Sequence, residues 1–105
     1  MALHGQGDSH TQESRQHAEL LAIQALAFLA ADQGRLDRFL MASGIAPQQL
    51  RRAADEPEFL AGILDHLGAE EALLLAFAQH AGIDPSDVLR ARRALPGASW
   101  GDPMP

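Results

Sequence analysis

Cysteine, lysine and tyrosine are absent from this chain of 105 residues, and tryptophan, valine and threonine occur once each. Without cysteine there is no disulfide scaffold, no thiolate zinc site and no cysteine nucleophile, and a reducing interior is mildly favoured over an oxidising compartment. The scarcity of β-branched and aromatic residues argues against strands. Every basic residue is arginine, and eight of them face fourteen acidic residues for a formal charge of −6. An acidic whole repels phosphate backbones and anionic lipid surfaces. With twenty alanines and nine glycines alongside, the exclusive use of arginine reads as GC-rich coding. The longest nearly apolar run, residues 20–31 with Gln24 inside it, is well short of the about 20 residues that span a bilayer. Residues 1–10 carry neither a basic n-region nor an apolar stretch of the about 7 to 15 residues that a secretory signal needs, so a cytoplasmic location is expected.

What is present is ordinary globular material, 47% apolar and 21% charged. A chain of this length makes one domain that buries roughly two-thirds of its unfolded surface. The Gly-, His- and Gln-rich residues 1–12 and the Pro-rich residues 97–105 read as flexible tails, leaving residues 13–96 as a single helical domain. Inside it, the helix formers Ala, Leu, Glu, Gln and Arg dominate.

Punctuation predicts six helices. A Ser9–Gln12 capping box opens the first, which runs to about Ala31. Asp32 caps a second, carrying Leu36, Phe39, Leu40 and Ser43 at helical spacing, and Gly44 ends it. Pro47 opens a third that ends near Ala54. An Asp55–Glu58 capping box opens a fourth, with Phe59, Leu60, Ile63, Leu64 and Leu67 in one stripe and Gly68 as its stop. Glu70 and Glu71 suit the start of a fifth, in which residues 72–78 are apolar all round. Asp84, Pro85 and Asp87 open the sixth, which runs toward Leu95 before Pro96–Gly97. Being apolar on several faces, the first and fifth helices are expected to form the central pair.

Residues 20–57 laid over residues 58–95 match at ten of 38 positions, including Leu26 with Leu64, Phe39 with Phe77, Gly44-Ile45-x-Pro47 with Gly82-Ile83-x-Pro85, and Arg52-Ala53 with Arg90-Ala91. Two units are too few for a solenoid, which needs about three. The expected fold is therefore all-α, a compact bundle of five to six short helices arranged as two pseudo-repeated three-helix units packed face to face.

The residues Ala25-Leu26-Ala27-Phe28-Leu29-Ala30, Arg38-Phe39-Leu40, Ser43-Gly44, Pro57-x-Phe59-Leu60, Leu64-Asp65-x-Leu67, Glu70-Glu71 and Leu74-Leu75-x-Phe77 resemble a family of small helical alphaproteobacterial proteins of unknown function. The resemblance covers about residues 18–97. It implies a bacterial cytoplasmic protein that stands alone as one domain, with no activity to carry over. Where the family pattern has an aromatic beside Leu67, this chain has His66.

Reactive constellations are not legible. Five histidines show no H-E-x-x-H and no i, i+4 pair, so neither a metal nor any other cofactor is expected. His66 and His80 fall at helix ends, where an imidazole stabilises the C-terminal dipole. Asp55-Glu56 and Glu70-Glu71 are neighbours on helix starts, and their side chains diverge by about 100° rather than facing each other as a catalytic dyad. Gly44 and Gly82 are lone helix terminators, so no phosphate loop is present. The expectation is a non-enzymatic protein-interaction domain that docks on a protein partner or on a second copy of itself, with Arg51, Arg52, Arg90, Arg92, Arg93 and Trp100 as candidate contact residues. Trp100 is an anchor, or else a tail residue that folds back on its own core or floats free. The alternative is a helix-turn-helix-like nucleic-acid-binding regulator, because Phe39-x-x-Ala42-Ser43-Gly44-Ile45-x-Pro47-x-x-Leu50-Arg51-Arg52 has that motif's punctuation and residues 35–54 hold four Arg against one Asp. Against it stand the overall charge and the about six or more phosphate contacts that useful affinity requires.

Overall fold

The computed structural model describes the backbone of residues 2–95 and the side chains of residues 13–95. The chain forms α1 (Ala2–Ala30), α2 (Gln33–Ser43), a 3₁₀ turn (Pro47–Gln49), α3 (Leu50–Ala53), α4 (Pro57–Ala69), α5 (Glu71–Ala81) and α6 (Pro85–Ala94). Among the described residues there is no strand, and the all-α bundle is the observed fold.

The strongest boundaries are local chemistry. Asp32 sits in extended backbone ahead of α2, and its carboxylate accepts from the amides of Gly34 at 2.9 Å and Arg35 at 3.3 Å, satisfying donors that the first turn leaves orphaned. Gly44 (φ 75°) and Gly82 (φ 71°) end α2 and α5 in left-handed backbone, which costs a residue with a Cβ about 1 kcal/mol or more. At the second of these ends, the Ile83 amide reaches back to the Ala78 carbonyl at 2.9 Å, closing a Schellman turn. Asp84 and Asp87 form a reciprocal box, with Ser86 N–H donating to Asp84 at 2.9 Å and Asp84 N–H donating to Asp87 at 3.2 Å.

Three boundaries differ from expectation. Helix α1 begins at Ala2 rather than at Ser9; once a helix is nucleated, each further turn propagates at little cost, so an internal capping box need not be used. The N-cap of α4 is Glu56, not Asp55. Pro57 occupies the first helical position and forces its predecessor out of helical backbone, and Glu56 accordingly has ψ 125°. Gly68 lies inside α4, which ends only where Glu70 turns extended and also opens α5. A methyl on Gly68 would rest 3.6 Å from Leu89 of α6, so that glycine marks a helix approach rather than a stop.

Helix α4 is the centre of the core, burying Phe59, Leu60, Ala61, Ile63, Leu64 and Leu67. Against it lie α1, α5 and α6, with α6 also packed on α1. Ala18, Ala22 and Ala25 are buried on α1 together with Leu21, Phe28 and Leu29, and the small side chains let neighbouring backbones come close. The expected α1–α5 central pair is therefore replaced by α1–α4. Leu75 of α5 is 48% exposed and Leu20 of α1 is 61% exposed, so an all-round apolar stretch did not mean all-round burial. At its C-terminal end α1 meets α5 through Phe28, whose ring lies 5.4 Å from Phe77 and 5.1 Å from His80, with the Arg35 guanidinium 4.7 Å above it.

Helices α2 and α5 have equal length at the expected offset, and Pro47 and Pro85 open the elements that follow their glycines. The third members are unlike. Helix α3 has four residues, none buried, whereas α6 has ten and buries Val88 and Ala91. An ion pair from Arg92 Nε to Asp65 Oδ1, 2.6 Å long, ties α6 to α4.

Candidate functional site

Between α2 and α4 runs an open trough of about 490 Å³. Helix α4 presents Glu58, Phe59, Gly62, Asp65, His66 and Ala69 to it, positions three to four apart that share one helical face. Helix α2 contributes Phe39, Ala42 and Ser43, and Ile45 closes one end. The floor is aromatic. Phe39 is 2% exposed, its ring centre lies 5.7 Å from Phe59 and 5.2 Å from His66, and both contacts are edge-on, the arrangement that places ring hydrogens against a π face. The His66 imidazole thus makes the second ring contact of this floor.

Two further depressions adjoin this trough. One of about 420 Å³ is lined by Ile45, Gln48, Gln49, Arg52, Ala53 and Glu56. The other, about 550 Å³, is bordered by Asp32, Arg35, Arg38, His66, Glu70 and Glu71 among others. Ile45 belongs to the first and to the trough, and His66 to the trough and to the last, so the three depressions adjoin in a row, a track with Ile45 and His66 as its shared walls.

The expected contact residues separate. Arg51 and Arg52 are exposed on α3, and only Arg52 of the arginine pair borders the track. On α6, Arg90 is ion-paired with Asp87 of its own helix, Arg92 is turned inward to Asp65 and to the Leu95 carbonyl at 3.5 Å, and Arg93 is exposed. Trp100 lies outside the described residues. The segment with helix-turn-helix punctuation holds a 3₁₀ turn and a four-residue helix after Gly44, which present about one turn to any groove. Phe39, Phe59, Gly62 and His66 were not singled out from the sequence as contact residues. Their one sequence signal was a glycine in the middle of a strong helix.

Among the described residues no three His, Asp or Glu side chains come together in a way that holds a metal ion, and no helix is long and apolar enough to cross a membrane. His80 lies in the last turn of α5 and His66 in the last turn of α4, where the helix dipole favours the protonated form of the His66 imidazole. At His66 a stronger effect opposes this. Partial burial pushes its pKa below the ordinary 6.5, the Arg38 charge pushes the same way, and Glu70 counteracts in part. Below pH 6.5 the unfolded chain then binds a proton that the folded chain resists, so stability rises with pH across that window and is lost on acidification. Denaturant midpoints measured on either side of pH 6.5 are expected to show this slope, and His66→Gln to flatten it.

No curated protein and no solved structure matches the chain. A family model does match, over residues 15–98, nearly the segment over which the sequence resemblance runs and including every helix that builds the track. On that match the chain belongs to the family described as "Protein of unknown function (DUF3572)".

Proposed function

We propose that the chain is a non-catalytic protein-binding module whose partner lies along the concave track. The observation that carries this reading is the adjacency of three open depressions, which share Ile45 and His66 as walls. Small-molecule sites enclose their ligand and bury about 70–90% of its surface; an open track over three elements suits a macromolecular partner. A cytoplasmic setting is part of the proposal, supported by the absence of cysteine. So is an origin in two related units, supported by the matched boundaries of α2 and α5 and by the two left-handed glycines.

Affinity capture on the immobilised chain, run with and without nuclease treatment, tests the reading. One protein retained in stoichiometric amount, and lost when Arg52→Glu reverses the charge beside Ile45, is the expected result. Salt-sensitive retention of nucleic acid in place of a protein, or turnover of a small substrate by the purified chain, overturns it.

A further inference from the structure

We propose that the trough between α2 and α4 receives a basic amphipathic helix of the partner protein. This rests on the protein-binding reading and names the occupant of one part of the track.

Shape selects a helix. The trough follows one face of α4 from Glu58 to Ala69, a run of about 16 Å at the rise of an α-helix, which matches about three turns of an occupant. A β-extended peptide docks by adding to a sheet edge, and among the described residues there is no strand to offer one; a polyproline-type segment docks on exposed rings, and Phe39 and Phe59 are buried. A helix satisfies its own backbone hydrogen bonds, so it can lie on an aromatic floor that supplies none. Ala42 and Ala69, both exposed, and half-buried Ile45 are there to meet its apolar residues, above the buried rings of Phe39 and Phe59.

Gly62 supplies the space. Glycine in a helix interior destabilises it relative to alanine, and such a residue calls for a reason within the fold. Gly62 has none: a methyl group built on it meets no atom within 4 Å. Its open side faces the trough midway along α4. The missing side chain therefore serves close approach from outside, as small residues do wherever two helices cross tightly.

Charge selects the sign. The trough is bordered by Glu58 and Asp65 and by no arginine. Glu58 is exposed, and among the described residues it has no ion-pair partner. Asp65 accepts from Arg92 through Oδ1, and a carboxylate with two oxygens accommodates a second donor. The two carboxylates stand on one face of α4, about two turns apart, spaced for Lys or Arg on successive turns of an occupant. The chain as a whole, at −6, adds long-range attraction.

The test uses a fluorescein-labelled peptide of about four helical turns, with Leu on one face and Lys on the other, and its counterpart with Glu in place of Lys. Fluorescence anisotropy against the full chain is expected to show saturable one-to-one binding of the Lys peptide alone. Gly62→Leu fills the trough without changing any charge and weakens that binding by about tenfold or more, while its melting temperature stays level or rises. Glu58→Arg weakens the Lys peptide and strengthens the Glu peptide; Glu13→Gln, which also removes one acidic charge but on α1, leaves both unchanged. Equal binding by Gly62→Leu and the native chain overturns the proposal, as does equal affinity for the two peptides. A self-association of the native chain in sedimentation that Gly62→Leu abolishes overturns it too, since the occupant is then a second copy. The wider reading survives such a failure if the captured protein partner still binds Gly62→Leu and is lost on Arg52→Glu.

Discussion

Replacing Phe77 with alanine is expected to lower the unfolding free energy by about 3–5 kcal/mol, the cost of removing a large aromatic from a packed core. Phe77 is fully buried, and its ring is the contact through which α5 meets Phe28 of α1 at 5.4 Å. Phe28 also carries His80 against its ring and Arg35 over its face. The cavity therefore opens beside Phe28, in the core that α5 shares with α4 and α6. Domains of this size are stable by only about 5–15 kcal/mol, so the loss is a large fraction of the whole and lowers the melting temperature by on the order of 20 °C. Thermal unfolding followed by far-ultraviolet circular dichroism measures it. Leu20→Ala is the internal comparison: at 61% exposure it is expected to change stability by less than about 0.5 kcal/mol. Similar losses at the two positions would contradict the burial pattern on which the fold rests.

The contrast between Phe77 and Leu20 also shows where sequence reasoning reached its limit. Helix breaks were legible because their causes are local: Asp32 reaches amides two and three residues on, and Gly44 and Gly82 provide the left-handed backbone that ends α2 and α5. Boundaries failed where two local signals competed, as at Asp55, where a good cap loses to the constraint that Pro57 places on Glu56. Glycine was ambiguous in the same way. Gly68 has the composition of a stop and yet lies within α4, beside Leu89 of α6. The choice of partner helices was not legible, because an apolar run says how much surface wants cover and not which neighbour supplies it. That is why Leu75, inside the most apolar stretch of α5, is half exposed while α4 takes the centre.

The candidate site was harder still, since its walls come from α2 and α4 and meet only in the fold. The arginines stood out in the sequence as the sole basic residue type, yet Arg92 serves to hold α6 on α4 and Arg90 pairs within its own turn. Charge counted along a chain does not distinguish a cation facing a partner from one already matched. Conversely, Phe39, Phe59 and Leu60 read as generic core, and two of these three also form the floor of the trough. Gly62 was passed over in the sequence, and only the empty space above it gives a glycine inside that helical stripe a meaning.

Phe39→Ala joins the stability of the fold to the chemistry of the trough in one measurement. Phe39 is the buried residue of α2, so its removal is expected to cost about 3–5 kcal/mol by the same cavity argument. It also takes away the ring against which His66 is packed at 5.2 Å. Burial is the largest cause of the lowered His66 pKa. With water admitted to the imidazole, the folded and unfolded chains come to hold the proton with more nearly equal affinity. The stability lost by the variant is consequently expected to be larger at neutral pH than at mildly acidic pH, because the native chain forfeits its His66 contribution on acidification and the variant has little left to forfeit. A double-mutant cycle with His66→Gln isolates this coupling. The pH dependence of the Phe39→Ala effect should vanish once the imidazole is absent, whereas the cavity cost itself should remain. Persistence of the pH dependence in the His66→Gln background would assign it to another group and remove His66 from the floor of the trough.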